Sequence, residues 1–152
     1  ICTDLKILSK EELESRYNAY SERYITQLTI ESRTLIEIAN KDILPSGIKY
    51  ANILADNIEK ASKISKLLTK EQESLFKIIL ENVNILRKEV KNLEVKLENL
   101  NGISDIKKKL DFAHDELYMG IDRLRVPCDV LEKLVDRTIW TMPTYKDLLF
   151  FL

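Results

Sequence analysis

Glycine, proline and histidine are all scarce in this chain, with three, three and one among 152 residues. Gly47, Gly102 and Gly120 are scattered, and none stands between a strand and a helix, so a loop that cradles phosphate on backbone N–H groups is excluded. The single histidine, His114, lies beside Asp115 and Glu116. A metal site there would need carboxylates from another helix, and the expected role is a solvated histidine on a helix surface. Inward-pointing Glu-x-x-His pairs, which di-iron bundles require, cannot be built from one histidine, so Glu11, Glu12, Glu14, Glu94 and Glu98 read as exposed charges. Cys2 and Cys128 are far apart, lack metal spacing, and sit in a chain too long to need disulfide stapling. They are read as free thiols in a reducing cytosol. No base stands close enough to either thiol to form a nucleophile pair.

An excess of one charge is also missing. Lys and Arg total 24 against 25 Asp and Glu, mixed along the chain, so electrostatics draw it neither to nucleic acid nor to an anionic membrane. The one basic run, Lys107-Lys108-Lys109, opens a predicted helix, where it opposes the dipole and reads as a solvated face. Apolar runs are too short to span a bilayer and the first residues lack a signal-peptide pattern, which predicts a soluble, cytoplasmic protein. The chain opens on Ile1 rather than Met, which suggests a processed or excised piece of something larger.

What is present is a helical pattern. At 45% hydrophobic and 32% charged residues, the composition supports a packed core, and the length supports one domain over residues 1–152. Ser9 and Glu12 have capping-box spacing, and Leu13, Tyr17, Tyr20, Tyr24, Leu28, Leu35 and Ile38 mark an apolar face running to about Asn40. Pro45 ends this helix or opens the next. The second helix presents Ala51, Leu54, Ile58, Ala61, Ile64 and Leu68, and Thr69 with Gln72 repeats the capping spacing at the start of a third. There Ile79, Val83, Leu86, Val90, Leu93, Leu97 and Leu100 alternate steps of four and three, a heptad seam. Asn101-Gly102 tolerates the positive φ of a tight reversal, with Ser104 as the next N-cap. A fourth helix returns with Ile106, Leu110, Ala113, Leu117, Ile121, Leu124, Cys128, Leu131 and Val135, kinked by Pro127. The predicted fold is all-α: an antiparallel bundle of about four long helices, with a coiled-coil-like hairpin from helices three and four.

After Arg137 the pattern changes. Trp140, Pro143, Tyr145, Leu148, Leu149 and Phe150, followed by Phe151 and Leu152, concentrate apolar and aromatic groups at a chain end, with Thr144 as cap of a last helical turn. Trp140, Pro143, Tyr145, Leu148, Leu149 and Phe150 are the candidate packing or assembly contact, made within the bundle, between copies, or with a missing domain. No catalytic, cofactor-binding or metal-ligating residue is assigned.

Three segments are similar to the C-terminal region of type III glutamine synthetases. They are Glu14-Ser15-Arg16-Tyr17 leading to Tyr24; Ile30-Glu31-Ser32-Arg33-Thr34-Leu35 with Asp42-Ile43-Leu44-Pro45; and Trp140 with Pro143-Thr144-Tyr145-Lys146-Asp147-Leu148-Leu149-Phe150. Ile121-Asp122-Arg123, Asp129, Leu131-Glu132 and Val135 fit the family's final long helix, while residues 60–105 are generic heptad sequence. The chain departs from the family at Thr141, where Pro commonly follows the Trp, at Ser46, where Ala is usual, and at Pro127.

The resemblance implies a parent glutamate–ammonia ligase that activates glutamate with ATP and a divalent metal, Mg or Mn, as γ-glutamyl phosphate before ammonia attacks. It places that machinery in an upstream catalytic domain of the same chain. None of the family's catalytic residues falls in the matched segments, so the expected role here is architectural, in a homo-oligomer, with no cofactor bound by this piece. The alternative is a stand-alone helical-bundle module that recruits partner proteins through its seams.

Overall fold

The computed structural model describes residues 9–65 and 69–149, the side chains of Tyr145 and Lys146 excepted. The described residues form helices α1 (Lys10–Ile38), α2 (Leu44–Ser62), α3 (Lys70–Asn101), α4 (Ile106–Phe112), α5 (Met119–Leu134) and a short α6 (Tyr145–Leu149). Two π-helical segments, Ala39–Ile43 and Ala113–Tyr118, join α1 to α2 and α4 to α5. The four long helices of the expected bundle are therefore α1, α2, α3 and the α4–α5 rod, and no strand is found among the described residues.

The capping box at the start of α1 is complete: Ser9 Oγ accepts the Glu12 N–H at 3.1 Å, and a Glu12 carboxylate oxygen accepts the Ser9 N–H at 2.8 Å. Pro45 sits in the first turn of α2, the second of the two places expected for it. Ile38, Ile43 and Leu44 all keep right-handed helical angles, and the chain runs from Lys10 to Ser62 without leaving the helix. The wider π-turn just before Pro45 shifts the hydrogen-bond pattern where the proline lacks an N–H, so helical angles are kept across the joint.

The α3 seam is as the sequence predicts, with Ile79, Val83, Leu86, Val90, Leu93, Leu97 and Leu100 all buried. Lys96 pairs with Glu116 and Arg123 with Glu89 across the hairpin. The numbers fall on one side as they rise on the other, so α3 and α4–α5 are antiparallel. Arg87 donates to Asn40 at 2.8 Å, and Gly47 abuts Val83, so the α1–α2 rod also runs against α3. The core thus sits around α3, with α2 on one part of it and α5 and α1 on the rest.

Several local details differ from expectation. In α1 the buried positions are Ser21, Ile25, Leu28 and Ser32, while Leu13, Tyr17 and Tyr20 are exposed. The apolar stripe of the first turns leads toward the core at Tyr24 but is itself left exposed. Thr69 makes no capping box with Gln72; its buried hydroxyl donates instead to the Glu73 carboxylate at 2.7 Å. Gly102 has φ −78°, so the reversal needs no left-handed residue, and Asp105 rather than Ser104 caps α4 by accepting the Lys108 N–H. Ile64 falls past the end of α2 and is exposed, and Leu68 lies outside the described residues. In the α4–α5 rod Gly120 and Pro127 take fully buried seam places, leaving Ile121 and Cys128 half-buried. Ala113, Leu117, Gly120, Leu124, Pro127 and Leu131 alternate steps of four and three, so a regular heptad runs on through the π segment, and Ile121 and Cys128 fall one place to its side.

The helix continues through Pro127, whose ring is buried. Burial pushes the neighbouring Cys128 thiol up to about 12, and the Asp129 carboxylate adds to the rise. A thiol this reluctant to ionise behaves as a small core residue. Cys2 lies outside the described residues. No described helix is long and apolar enough to cross a membrane.

Candidate functional site

The C-terminal segment leaves α5 at Val135, whose backbone turns extended. Asp136 shapes the exit: its carboxylate accepts the backbone N–H and hydroxyl of Thr138, which hold it below the usual carboxylate range. Ile139, Trp140 and Met142 then pack against the core. The segment is fastened where the π segment joins α1 to α2. Ser46 Oγ donates to the Asp42 carbonyl at 2.7 Å and lies 3.1 Å from the Ile139 carbonyl, while Thr141 Oγ1 reaches the Asp42 carboxylate at a long 3.4 Å. The Trp140 indole N–H is buried without a hydrogen-bond partner.

Beyond this joint the character reverses. Pro143 is exposed. Thr144 and Asp147 cap α6 reciprocally, with the Asp147 carboxylate accepting the Thr144 N–H at 2.9 Å and hydroxyl at 2.7 Å. Arg137 ties the other Asp147 oxygen back to the α5 exit at 2.6 Å. This frame holds Leu148 and Leu149 outward, 67% and 75% exposed. The Tyr145 side chain and Phe150 lie outside the described residues. The tail thus divides: Trp140 joins its own bundle, while Leu148 and Leu149 are presented on a short, anchored helix. Sequence reasoning missed Asp42, Ser46 and Asp136. The signals for them were Ser46 and Thr141, two of the three departures noted above, which meet at one joint.

Removing the Ser46 hydroxyl tests that joint. Ser46→Ala is expected to weaken tail docking by about 1 kcal/mol. Trp140 is the only tryptophan, so its fluorescence in urea should report release of the tail at a lower midpoint than the helical signal.

Elsewhere the Ser32 hydroxyl, in α1, is also buried without a hydrogen-bond partner. A groove of about 590 Å³ between α3 and the α4–α5 rod is lined by Glu89, Lys96, Glu116 and Arg123 among others. The 2.6 Å pairing of Lys96 with Glu116 holds that carboxyl below its usual range. His114 is exposed, stacks on Tyr118, and lies 3.1 Å through Nδ1 from the Tyr24 hydroxyl, beside a cleft of about 380 Å³. Among the described residues no three His, Cys, Asp or Glu side chains come together as a metal set. Gly47 and Gly120 lie inside helices against side chains, so neither belongs to a backbone loop that cradles phosphate.

Fold and tail together define an all-helical domain, closed by a docked segment and ending in an outward apolar helix. Residues 1–63 match the family model of the glutamine synthetase C-terminal domain. The chain is 28% identical over 151 residues to a glutamine synthetase of Bacteroides fragilis, 25% over 147 residues to one of Butyrivibrio fibrisolvens, and 24% over 153 residues to a type-3 glutamine synthetase of Dictyostelium discoideum. These matches take in 95%, 96% and 97% of this chain but 21% of each relative. The chain therefore spans about a fifth of the length of the relatives it matches. The resemblance drawn from both ends of the sequence holds, and it names the same family.

Proposed function

We propose that this chain is the helical C-terminal domain of a larger glutamate–ammonia ligase, in which it performs no step of the reaction and shapes the assembly of subunits. The observation that carries this reading is α6: two leucines are held outward by a capped and ion-paired frame, where solvent contact costs free energy unless another surface covers them. Relatedness along nearly the whole chain to proteins about five times as long supports a position beside a further domain. ATP, Mg or Mn, glutamate and ammonia would then be handled by that other domain, with the product leaving as glutamine.

Leu148→Asp combined with Leu149→Asp in the complete polypeptide tests this reading. The molar mass of the assembly by light scattering should fall to that of smaller species while the helical signal is kept. An unchanged mass would remove the assembly role. Glutamine formation by residues 1–152 alone would remove the non-catalytic one.

A further inference from the structure

Among the described residues, none in the leading turns of α1 is buried, although α1 runs beside α4. From residue 10 to residue 20 every position is exposed except the half-buried Asn18, and the first buried position is Ser21. The register accounts for part of this. Tyr24 meets His114 and Gly47 meets Leu131, so α1 and the α4–α5 rod run in parallel. From that level α4 extends back only to Ile106, whereas α1 extends back to Lys10. The α1 rod therefore projects past the start of α4 by about six residues, or ~9 Å at 1.5 Å per residue, which carries Leu13 beyond α4 and leaves Tyr17 and Tyr20 level with its first turns.

A solvated spur would be expected to be polar all round. This one is not. Leu13, Tyr17 and Tyr20 are 43%, 47% and 68% exposed, and at steps of four and three they form a stripe that continues into half-buried Tyr24 and so into the core. The spur is nonetheless built as a firm helix, with its complete capping box and with Glu11 and Glu12 in the first turn. Aromatic and leucine side chains in a row on a rigid helix are the composition of an interface core.

We infer that this stripe docks on the preceding domain of the same polypeptide, and that the surface it meets is apolar with carboxylates along one edge. The inference rests on the proposed reading, in which the greater part of the protein lies outside this chain. The spur is the part of the fold that enters the bundle from residue 9, so it stands nearest to whatever sequence leads into it. Charge argues against a second copy as the occupant. Arg16 and Arg23 are seven residues apart on one flank of the stripe, and antiparallel pairing of two stripes sets Arg16 of one copy beside Arg23 of the other. A partner with carboxylates there meets both guanidinium groups favourably.

Hydrogen exchange of the α1 amides decides it, measured on residues 1–152 and on the longer polypeptide, each with and without the triple change Leu13→Ser, Tyr17→Ser and Tyr20→Ser. In the short chain, amides of residues 13–20 should exchange at least about tenfold faster than those of 25–38, independent of concentration. The triple change should leave the thermal midpoint of that chain unmoved. In the longer polypeptide the same amides should slow by about tenfold or more, and the triple change should abolish the slowing. Equal exchange in both proteins overturns the docking, and concentration-dependent protection in the short chain overturns the choice of occupant. Failure here leaves the assembly role of α6 standing, because molar mass reads that separately.

Discussion

Leu86→Ala is expected to destabilise the domain by about 3 kcal/mol, while Ile85→Ala, one residue away, should change stability by less than about 1 kcal/mol. Leu86 is 0% exposed at the centre of the α3 seam and Ile85 is 48% exposed. Truncating Leu86 removes three carbon atoms from close packing and leaves a cavity between α3 and the helices around it, which rigid neighbours fill only in part. Ile85 loses area that was never fully withdrawn from water. Urea denaturation followed by circular dichroism gives both values, and the Leu86 change should lower the thermal midpoint by about 10 °C at this chain length. Equal effects at the two positions would mean that the heptad seam is not the core.

The second large effect is expected where glycine is buried. A Cβ added at Gly47 would lie 2.8 Å from a Val83 methyl and 3.6 Å from a Leu131 methyl, so α2, α3 and α5 meet at a point where no side chain fits. Valine is β-branched and cannot swing that methyl away without leaving its rotamer. At Gly120 the near atom is the Leu93 Cδ1 at 2.9 Å, the far end of a more pliable side chain. Replacing glycine by alanine inside a helix gains about 1 kcal/mol of propensity at either site. Gly120→Ala should therefore come out near neutral, and Gly47→Ala should lose about 1–2 kcal/mol despite the gain. Gly47→Leu forces the helices apart and should cost about 3 kcal/mol or more. Thermal or urea midpoints of the three variants, compared in one buffer, check the order.

These two predictions also mark how far the sequence could be read. The α3 seam was legible because an uninterrupted heptad repeat has one physical solution, and each of its seven positions is buried. The first capping box and the Thr144 cap were legible because each is a local bargain between residues three apart. Gly47 was not legible as a packing point, since its role is set by Val83 and Leu131, far away in sequence. The π-turns escaped notice because one extra residue per turn leaves no compositional mark. Gly120 and Pro127 were passed over for Ile121 and Cys128 because neither has the side chain of a usual seam residue, although both keep the four-three spacing. Leu13, Tyr17 and Tyr20 misled because periodicity reports an apolar side of a helix and not what stands opposite it. For the tail, composition identified an apolar chain end. Only the hydrogen bonds of Ser46 and Asp147 divide it into a docked part and a presented part.

The unbroken passage of the helix through Pro45 has a geometric meaning. Lys10 to Ser62 is a single beam about 80 Å long at 1.5 Å per residue. The Leu13–Tyr20 spur is at one end, a pairing with the early turns of α3 is at the other, and the Ser46 clamp on the tail lies between them. One helical run thus fixes the order and spacing of three contacts: the exposed stripe, the seat of the tail and the pairing with α3.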